Sequence, residues 1–132
     1  MKVEIVERFS VELCDTSPDK IFVFGDNIVK RGRVGQAVIR NQKNAVGIPT
    51  KKYPAMRGGS FFSDDELTHN RAAIDKAVEE VRGLITPWRN TVVFPRDGLG
   101  TGLAKLKEKA PMTWEYLCKK LKDEFGFDNG VL

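Results

Sequence analysis

Residues 21–27 read IFVFGDN, four consecutive apolar side chains followed at once by a glycine and two polar residues. A short run that is apolar on both faces is typical of an interior strand in a sheet that is covered on each side. The abrupt change to Gly25, Asp26 and Asn27 predicts that a loop begins where this strand ends. The segment therefore predicts a sheet-centred domain with a loop at the carboxyl end of a central strand.

The rest of the chain predicts strands that alternate with helices. Strands are expected at residues 2–6, 9–13, 45–49 and 91–94, the second of them from strict alternation of apolar and polar side chains. Helices are expected over about 32–42, 63–85 and 111–125. Ser63 is a capping residue with Glu66 three positions later, which marks a helix start. This alternation predicts the α/β class, with one domain over residues 1–132.

Length and composition set the broad class of the protein. A chain of 132 residues has room for one domain, and 41% hydrophobic with 30% charged residues excludes a disordered chain. The start, MKVEIVERFS, lacks the apolar core of a signal peptide, and no apolar run approaches the roughly 18 residues of a membrane span. Cys14 and Cys118 do not by themselves indicate a disulfide. We expect a cytoplasmic monomer without membrane contact.

The positive charge is concentrated in one segment. The net charge is +4, yet no acidic residue lies between Asn27 and Ser63, a stretch that holds eight basic residues. The other parts of the chain together carry an excess of acidic residues. A one-sided basic block indicates an anionic partner such as a phosphate or a nucleic acid. A solvated basic surface without a ligand is the alternative for this segment taken alone.

Each of the two most apolar predicted strands runs into a loop that contains glycine. The first loop holds Gly25, Gly32 and Gly35, and the second is GLGTG at residues 98–102. Ligands of open α/β sheets bind beyond the carboxyl ends of the strands. Glycine also lets backbone N–H groups approach a phosphate closely. Two such loops at one edge predict a cradle for a diphosphate, and the alternative is that these glycines only build tight turns.

Several familiar sites are excluded. The loops match neither the Walker phosphate-binding motif nor the Gly-x-Gly-x-x-Gly dinucleotide fingerprint. His69 is the only histidine, so with two distant cysteines the chain cannot assemble a zinc site. Neither cysteine has a nearby base in the pattern that would activate it as a nucleophile. We expect neither a metal nor a cofactor.

Four segments, taken in order, resemble a compact macro domain, the ADP-ribose-binding family. They are residues 22–27 (FVFGDN), 32–37 (GRVGQA), 48–52 (IPTKK) and 94–103 (FPRDGLGTGL). The likeness spans roughly residues 21–125 and is greatest to the branch that contains the terminal ADP-ribose protein glycohydrolase. It implies a single three-layer α/β/α domain with a mixed central sheet. It also implies a cleft at the strand ends that binds ADP-ribose, free or attached to a protein.

The resemblance implies a set of ligand-binding residues. Asp26 would accept a hydrogen bond from the adenine amino group, and the two glycine loops would wrap the diphosphate and the distal ribose. The ligand-binding residues so implied are Gly25, Asp26, Asn27, Gly32, Arg33, Val34, Gly35, Gln36, Thr50, Gly98, Leu99, Gly100, Thr101, Gly102 and Leu103.

The resemblance also implies a catalytic lysine. Lys51 aligns with the lysine that attacks the distal ribose through a Schiff-base-type intermediate. Its neighbour Lys52 and partial burial would both favour the neutral amine, whereas a solvated lysine would only attract phosphate. The acid expected after Gly-x-Gly-Leu is Ala104, which removes an acid/base contribution of about 10²–10⁴-fold. Asp97, before the loop, is the candidate substitute.

The leading hypothesis is therefore a domain that binds ADP-ribose or a related adenine diphosphate nucleotide, with hydrolysis of an ADP-ribose derivative left open. One alternative is a small basic protein that binds nucleic acid through the basic segment. Tyr53, Phe61 and Phe62 are too few and too clustered for a base-stacking platform, which disfavours it. Another alternative is a Rossmannoid, SLOG-like nucleotide sensor without catalysis.

Overall fold

The computed structural model describes residues 1–130 and has the predicted α/β class. Its strands and α-helices, in chain order, are β1 (Lys2–Val6), α1 (Val11–Thr16), β2 (Lys20–Asn27), β3 (Ala45–Lys51), α2 (Leu67–Leu84), β4 (Thr91–Pro95), α3 (Leu106–Lys109) and α4 (Pro111–Phe125). Short 3₁₀ turns lie at Gly35–Ile39, Gly58–Ser60 and Asp64–Glu66. No helix in the described range is long and apolar enough to cross a membrane.

The sheet has the strand order β1-β4-β2-β3, and each of its three pairings is parallel. All four carboxyl ends therefore open at the same edge, which is where ligands bind in sheets of this kind. The mixed sheet that the resemblance implied is not confirmed. Among residues 1–130 the antiparallel pairing is confined to an isolated bridge between Lys51 and Phe61.

The sheet buries side chains on both faces, which explains the apolar run of β2. Ile21 and Val23 pack under α2 and α4, in the larger part of the core. Phe22 and Phe24 face the other way and join a smaller cluster with Phe9, which precedes α1, with Cys14 on α1, and with Ile39 in the 3₁₀ turn at Gly35–Ile39. This arrangement is compatible with a three-layer α/β/α domain.

Two local predictions are wrong. The strand expected at residues 9–13 is replaced by α1, which begins after Ser10 because the Ser10 hydroxyl oxygen accepts a hydrogen bond from Leu13 N at 3.1 Å. Phe9, the first apolar residue of the alternating pattern, precedes the helix and is buried edge-on against Phe22. The helix expected over 32–42 is only the five-residue 3₁₀ turn.

The start of α4 is capped from a distant part of the chain. Asp64, just before α2, accepts hydrogen bonds from Met112 N at 2.9 Å and from Thr113 N and Oγ1 at 3.0 Å each. Burial alone would raise the pKa of the Asp64 carboxyl, but these three hydrogen bonds outweigh it and hold the pKa below its ordinary 3.8. The carboxylate thus satisfies the free N–H groups at the start of α4 and ties it to α2.

We expect Asp64→Ala to lower the free energy of unfolding by about 1–2 kcal/mol, the usual cost of a lost helix cap. Urea unfolding at neutral pH measures it. Because the folded-state pKa is depressed, the contribution is complete above pH 3.8 and is lost as the pH falls through the lower folded-state pKa. Asp65→Ala, at an exposed neighbour, is the control. Equal stability of the two variants would contradict the capping role.

Candidate functional site

A cleft of about 410 Å³ lies at the carboxyl edge of the sheet, between the segments that follow β2, β3 and β4. Most of the predicted site residues line it: Gly25, Asp26, Asn27, Gly32, Val34, Gly35, Gln36, Thr50, Lys51, Asp97, Gly100, Thr101, Gly102 and Leu103. Ala104 lines it as well. Arg33 instead lines a neighbouring cleft, and Gly98 and Leu99 line neither of the two.

The first half of the loop after β4 is fixed from within the protein. Leu99 is fully buried, and its N–H and C=O both bond to the side-chain amide of buried Asn129, at 2.7 and 3.0 Å. Gly98 has φ +79°, and an added Cβ would lie 2.7 Å from Asn129 Oδ1. These two predicted ligand-binding residues are therefore engaged with Asn129 inside the protein. Sequence reasoning missed Asn129, since nothing in its local pattern indicates a partner thirty residues away.

The second half of the same loop leaves its backbone donors free. Within residues 1–130, the N–H groups of residues 100–104 donate to no protein acceptor. Gly100 has φ +78°, which turns the chain at the cleft floor, and an added Cβ there would meet Leu106 at 3.1 Å. Successive free N–H groups in a turn form a concave site for an anion. The loop is thus suited to bind phosphate oxygens.

Gln36 connects the two glycine loops. Its side-chain Nε2 donates to Gly98 O at 2.9 Å, and its Oε1 accepts from Gly25 N at 2.8 Å. The amide therefore bridges the end of β2 and the loop after β4. Thr50, on β3, adds a weaker link, because its hydroxyl donates to Asp26 O at 3.3 Å. Both predicted ligand contacts thus also hold the cleft floor together.

Asp26 forms an ion pair with Arg40. The closest Arg40 Nη1–Asp26 Oδ1 distance is 2.6 Å, and the two side chains are only 13% and 5% exposed. Arg40 also donates to the carbonyl oxygens of Gly32 and Arg31, at 2.9 and 3.0 Å. Asp26 further accepts from Asn27 N at 2.7 Å. The carboxylate predicted to bind adenine is thus engaged inside the protein, and Arg40, which the sequence did not single out, holds the loop after β2.

Asn27 stabilises the same loop. Its side-chain Nδ2 donates to Arg31 O at 2.8 Å, and its Oδ1 accepts from Arg31 N at 3.3 Å. Gly47 on the adjacent strand makes room for this arrangement, because an added Cβ there would lie 2.5 Å from Asp26 Oδ2. A side chain at this position of β3 would collide with the carboxylate that Arg40 binds.

Lys51 lies at the end of β3 and is only 7% exposed. Its Nζ donates to Ala55 O at 2.7 Å and lies 4.8 Å from the centroid of the Phe61 ring. Burial lowers the pKa of this amine, as the sequence predicted. The like charge of Lys52, which was the other predicted cause, is neutralised because Lys52 forms an ion pair with Glu66. The cleft therefore holds an amine with a reduced cost of deprotonation.

The remaining titratable groups offer less chemistry. Asp97 is exposed and lines the cleft, and Ala104 lies at the position where the resemblance implies an acid. Burial, with a smaller contribution from the Asp15 carboxylate, raises the pKa of the Cys14 thiol to about 11. Neither cysteine lines the cleft. Among residues 1–130 no cluster of His, Cys, Asp and Glu is placed to hold a metal ion.

A second cleft, of about 700 Å³, adjoins the first and was not predicted. Gly35, Gln36 and Asp97 line both clefts and so form a common wall. The residues found only in the second cleft are Glu7, Arg8, Phe9, Arg33, Val38 and Pro95. They come from the ends of β1 and β4 and from the segment after β2, and no local motif marked the residues after β1.

The chain belongs to the family described as "Family of unknown function (DUF7831)", whose family model matches residues 4–120. No curated protein and no solved structure matches the chain. The matched range includes both glycine loops and the whole sheet except for the first two residues of β1.

We expect Gly47→Ala to destabilise the fold by about 1–3 kcal/mol, because the methyl group overpacks the space that the Asp26 carboxylate occupies. Thermal unfolding measures the change. Gly58→Ala is the control, since an added Cβ there meets nothing within 4 Å. Unfolding temperatures that are equal in the two variants would show that Asp26 is free to move away from β3.

Proposed function

We propose that this member of the family is a macro-like domain that binds ADP-ribose or a related adenine diphosphate nucleotide, free or attached to a protein. The observation that carries the proposal is the run of free backbone N–H groups at residues 100–104, at the carboxyl edge of a parallel sheet. Such donors, held in a fixed turn, suit the oxygens of a diphosphate.

The charges of the cleft support the same ligand. Arg31 and Lys51 line it, while Asp26 is already paired with Arg40. Two exposed apolar side chains border it from opposite loops, Val34 at 80% and Leu103 at 63% exposure. Exposed apolar side chains beside polar donors are typical of a site that closes on a ligand with both charged and ring parts.

The adenine ring of the proposed ligand has two candidate positions. The resemblance implies the Asp26 carboxylate, but that group already accepts hydrogen bonds from Arg40 and Asn27 N. The second cleft lies beyond Gly35 and Gln36, and its lining includes the apolar residues Phe9, Val38 and Pro95. The occupied carboxylate favours the second cleft for adenine, with the diphosphate on the 100–104 loop and the distal ribose near Lys51.

The basic segment does not present all its charge to solvent, which disfavours the nucleic-acid alternative. Arg40 is paired with Asp26, Lys51 is buried, and Lys52 is paired with Glu66. Binding to a polyanion depends on exposed cations that displace its counterions. Cations that are paired or buried around a cleft favour the binding of a small anion over that of a nucleic-acid chain.

Lys51 is the proposed nucleophile for any hydrolysis. Its neutral amine would attack the anomeric carbon of the distal ribose, and the departing oxygen would take the bonding electron pair. Water would then release the sugar and regenerate the amine. Asp97 is the acid available to protonate the leaving oxygen, because Ala104 supplies none. A nucleotide sensor without catalysis would bind the same ligand and lack this step.

Gly102→Val tests binding without disturbing the fold, because Gly102 lines the cleft and an added Cβ meets nothing within 4 Å. We expect the variant to bind ADP-ribose at least about tenfold more weakly in calorimetry, since the side chain obstructs the donors, at an unchanged unfolding temperature. Gly58→Val is the matched control. Equal affinity of wild type and Gly102→Val, or no binding by the wild type, would refute the proposal.

Lys51→Met and Ala104→Asp test catalysis on a protein carrying mono-ADP-ribosylated glutamate. We expect slow wild-type release of ADP-ribose that rises with pH as the amine deprotonates, is lost in Lys51→Met and increases in Ala104→Asp. Turnover that survives Lys51→Met would exclude the lysine mechanism. No turnover in any of the three proteins would favour the sensor.

A further inference from the structure

We infer that the second cleft binds a phosphate monoester, so that the ligand is an adenine nucleotide with an extra phosphate at its adenosine end. The inference rests on the proposed function for the direction in which the nucleotide lies. It concerns two arginines, Arg8 after β1 and Arg33 in the segment after β2, which both line this cleft.

Both arginines keep their donors free. Within the described part of the chain, neither side chain forms an ion pair or a hydrogen bond with another residue, whereas Arg40 in the first cleft makes four such contacts. The Glu7 carboxylate beside Arg8 does not neutralise it, because Arg96 Nε pairs with Glu7 at 2.5 Å. Two guanidinium groups from different segments, neither of them in an ion pair within residues 1–130, therefore line one cleft.

The remaining acid that lines the second cleft is Asp97. Asp97 belongs to the wall shared with the first cleft, together with Gly35 and Gln36. Arg8 and Arg33 belong to the part that is not shared. A phosphate bound by the arginines is thus placed in the part of the cleft that is not shared, and the Asp97 carboxylate disfavours an anion at the shared wall.

A neutral adenine ring leaves the positive charge of two guanidinium groups unmatched, whereas a phosphate dianion neutralises it. Guanidinium groups donate pairs of parallel hydrogen bonds that match phosphate oxygens, and such charge-assisted bonds are among the strongest in proteins. In the proposed binding pose the diphosphate lies on the 100–104 loop and the base lies beyond Gly35, which places the adenosine ribose at the second cleft. A phosphate on the 2′-hydroxyl of that ribose then faces the arginines, as an arginine accommodates the 2′-phosphate in NADP-binding proteins.

The test compares ADP-ribose with its 2′-phosphorylated form by calorimetry on the full chain. We expect the wild type to bind the 2′-phosphorylated form at least about tenfold more tightly, given the strength of hydrogen bonds between charged groups. Arg8→Gln and Arg33→Gln should each remove most of that preference, measured as the ratio of the two affinities within each variant. Lys43→Gln, an exposed cation of the same basic segment that lines neither cleft, should keep both affinities.

The outcomes separate this inference from the proposed function. Equal wild-type affinity for the two ligands overturns the inference and leaves ADP-ribose binding intact. A preference that Lys43→Gln also loses overturns it too, because the effect is then general electrostatic attraction. Adenosine 2′,5′-bisphosphate and adenosine monophosphate probe the cleft without the distal ribose. If the bisphosphate binds through Arg8 and Arg33 while ADP-ribose does not bind, the second cleft is supported and the proposed function fails.

Discussion

The ion pair between Asp26 and Arg40 is the interaction on which the site depends. Two charges removed from water this far cost several kcal/mol of desolvation each, and the cost is offset only when further hydrogen bonds complete the geometry. Arg40 meets that condition by donating to the carbonyl oxygens of Arg31 and Gly32 as well. The pair therefore fixes the segment after β2, which forms one side of the first cleft and carries Arg33 into the second.

The loop after β4 has the backbone of its first half paired within the protein and the N–H groups of its second half unpaired. Asn129 occupies both polar groups of Leu99, and Gln36 occupies the carbonyl of Gly98. The N–H groups from Gly100 to Ala104 have no such partner in residues 1–130. A rigid first half therefore orients a second half whose donors are unpaired, and this preorganisation would reduce the entropic cost of binding the proposed ligand.

The sequence predicted the features that depend on local pattern. The runs of β2 and β4 and the periodicity of α2 and α4 placed the sheet, and the glycine loops placed most of the first cleft. Residues 9–13 were predicted as a strand from their alternation of apolar and polar side chains, but the same positions also contain Ser10, which caps a helix. Arg40, Asn129 and the second cleft escaped prediction, since each depends on contacts across segments that no single window of sequence contains.

The two hydrogen bonds between Asn129 and the Leu99 backbone also determine when the loop after β4 can become fixed during protein synthesis. Leu99 leaves the ribosome thirty residues before the amide that fixes it, and α4 lies between them. The parallel sheet can pair once β4 has emerged, yet the loop after β4 stays unfixed until α4 has packed and Asn129 has reached Leu99. A nascent chain of this protein can therefore pair its four strands before α4 completes the core, and the loop after β4 becomes fixed only in that last step.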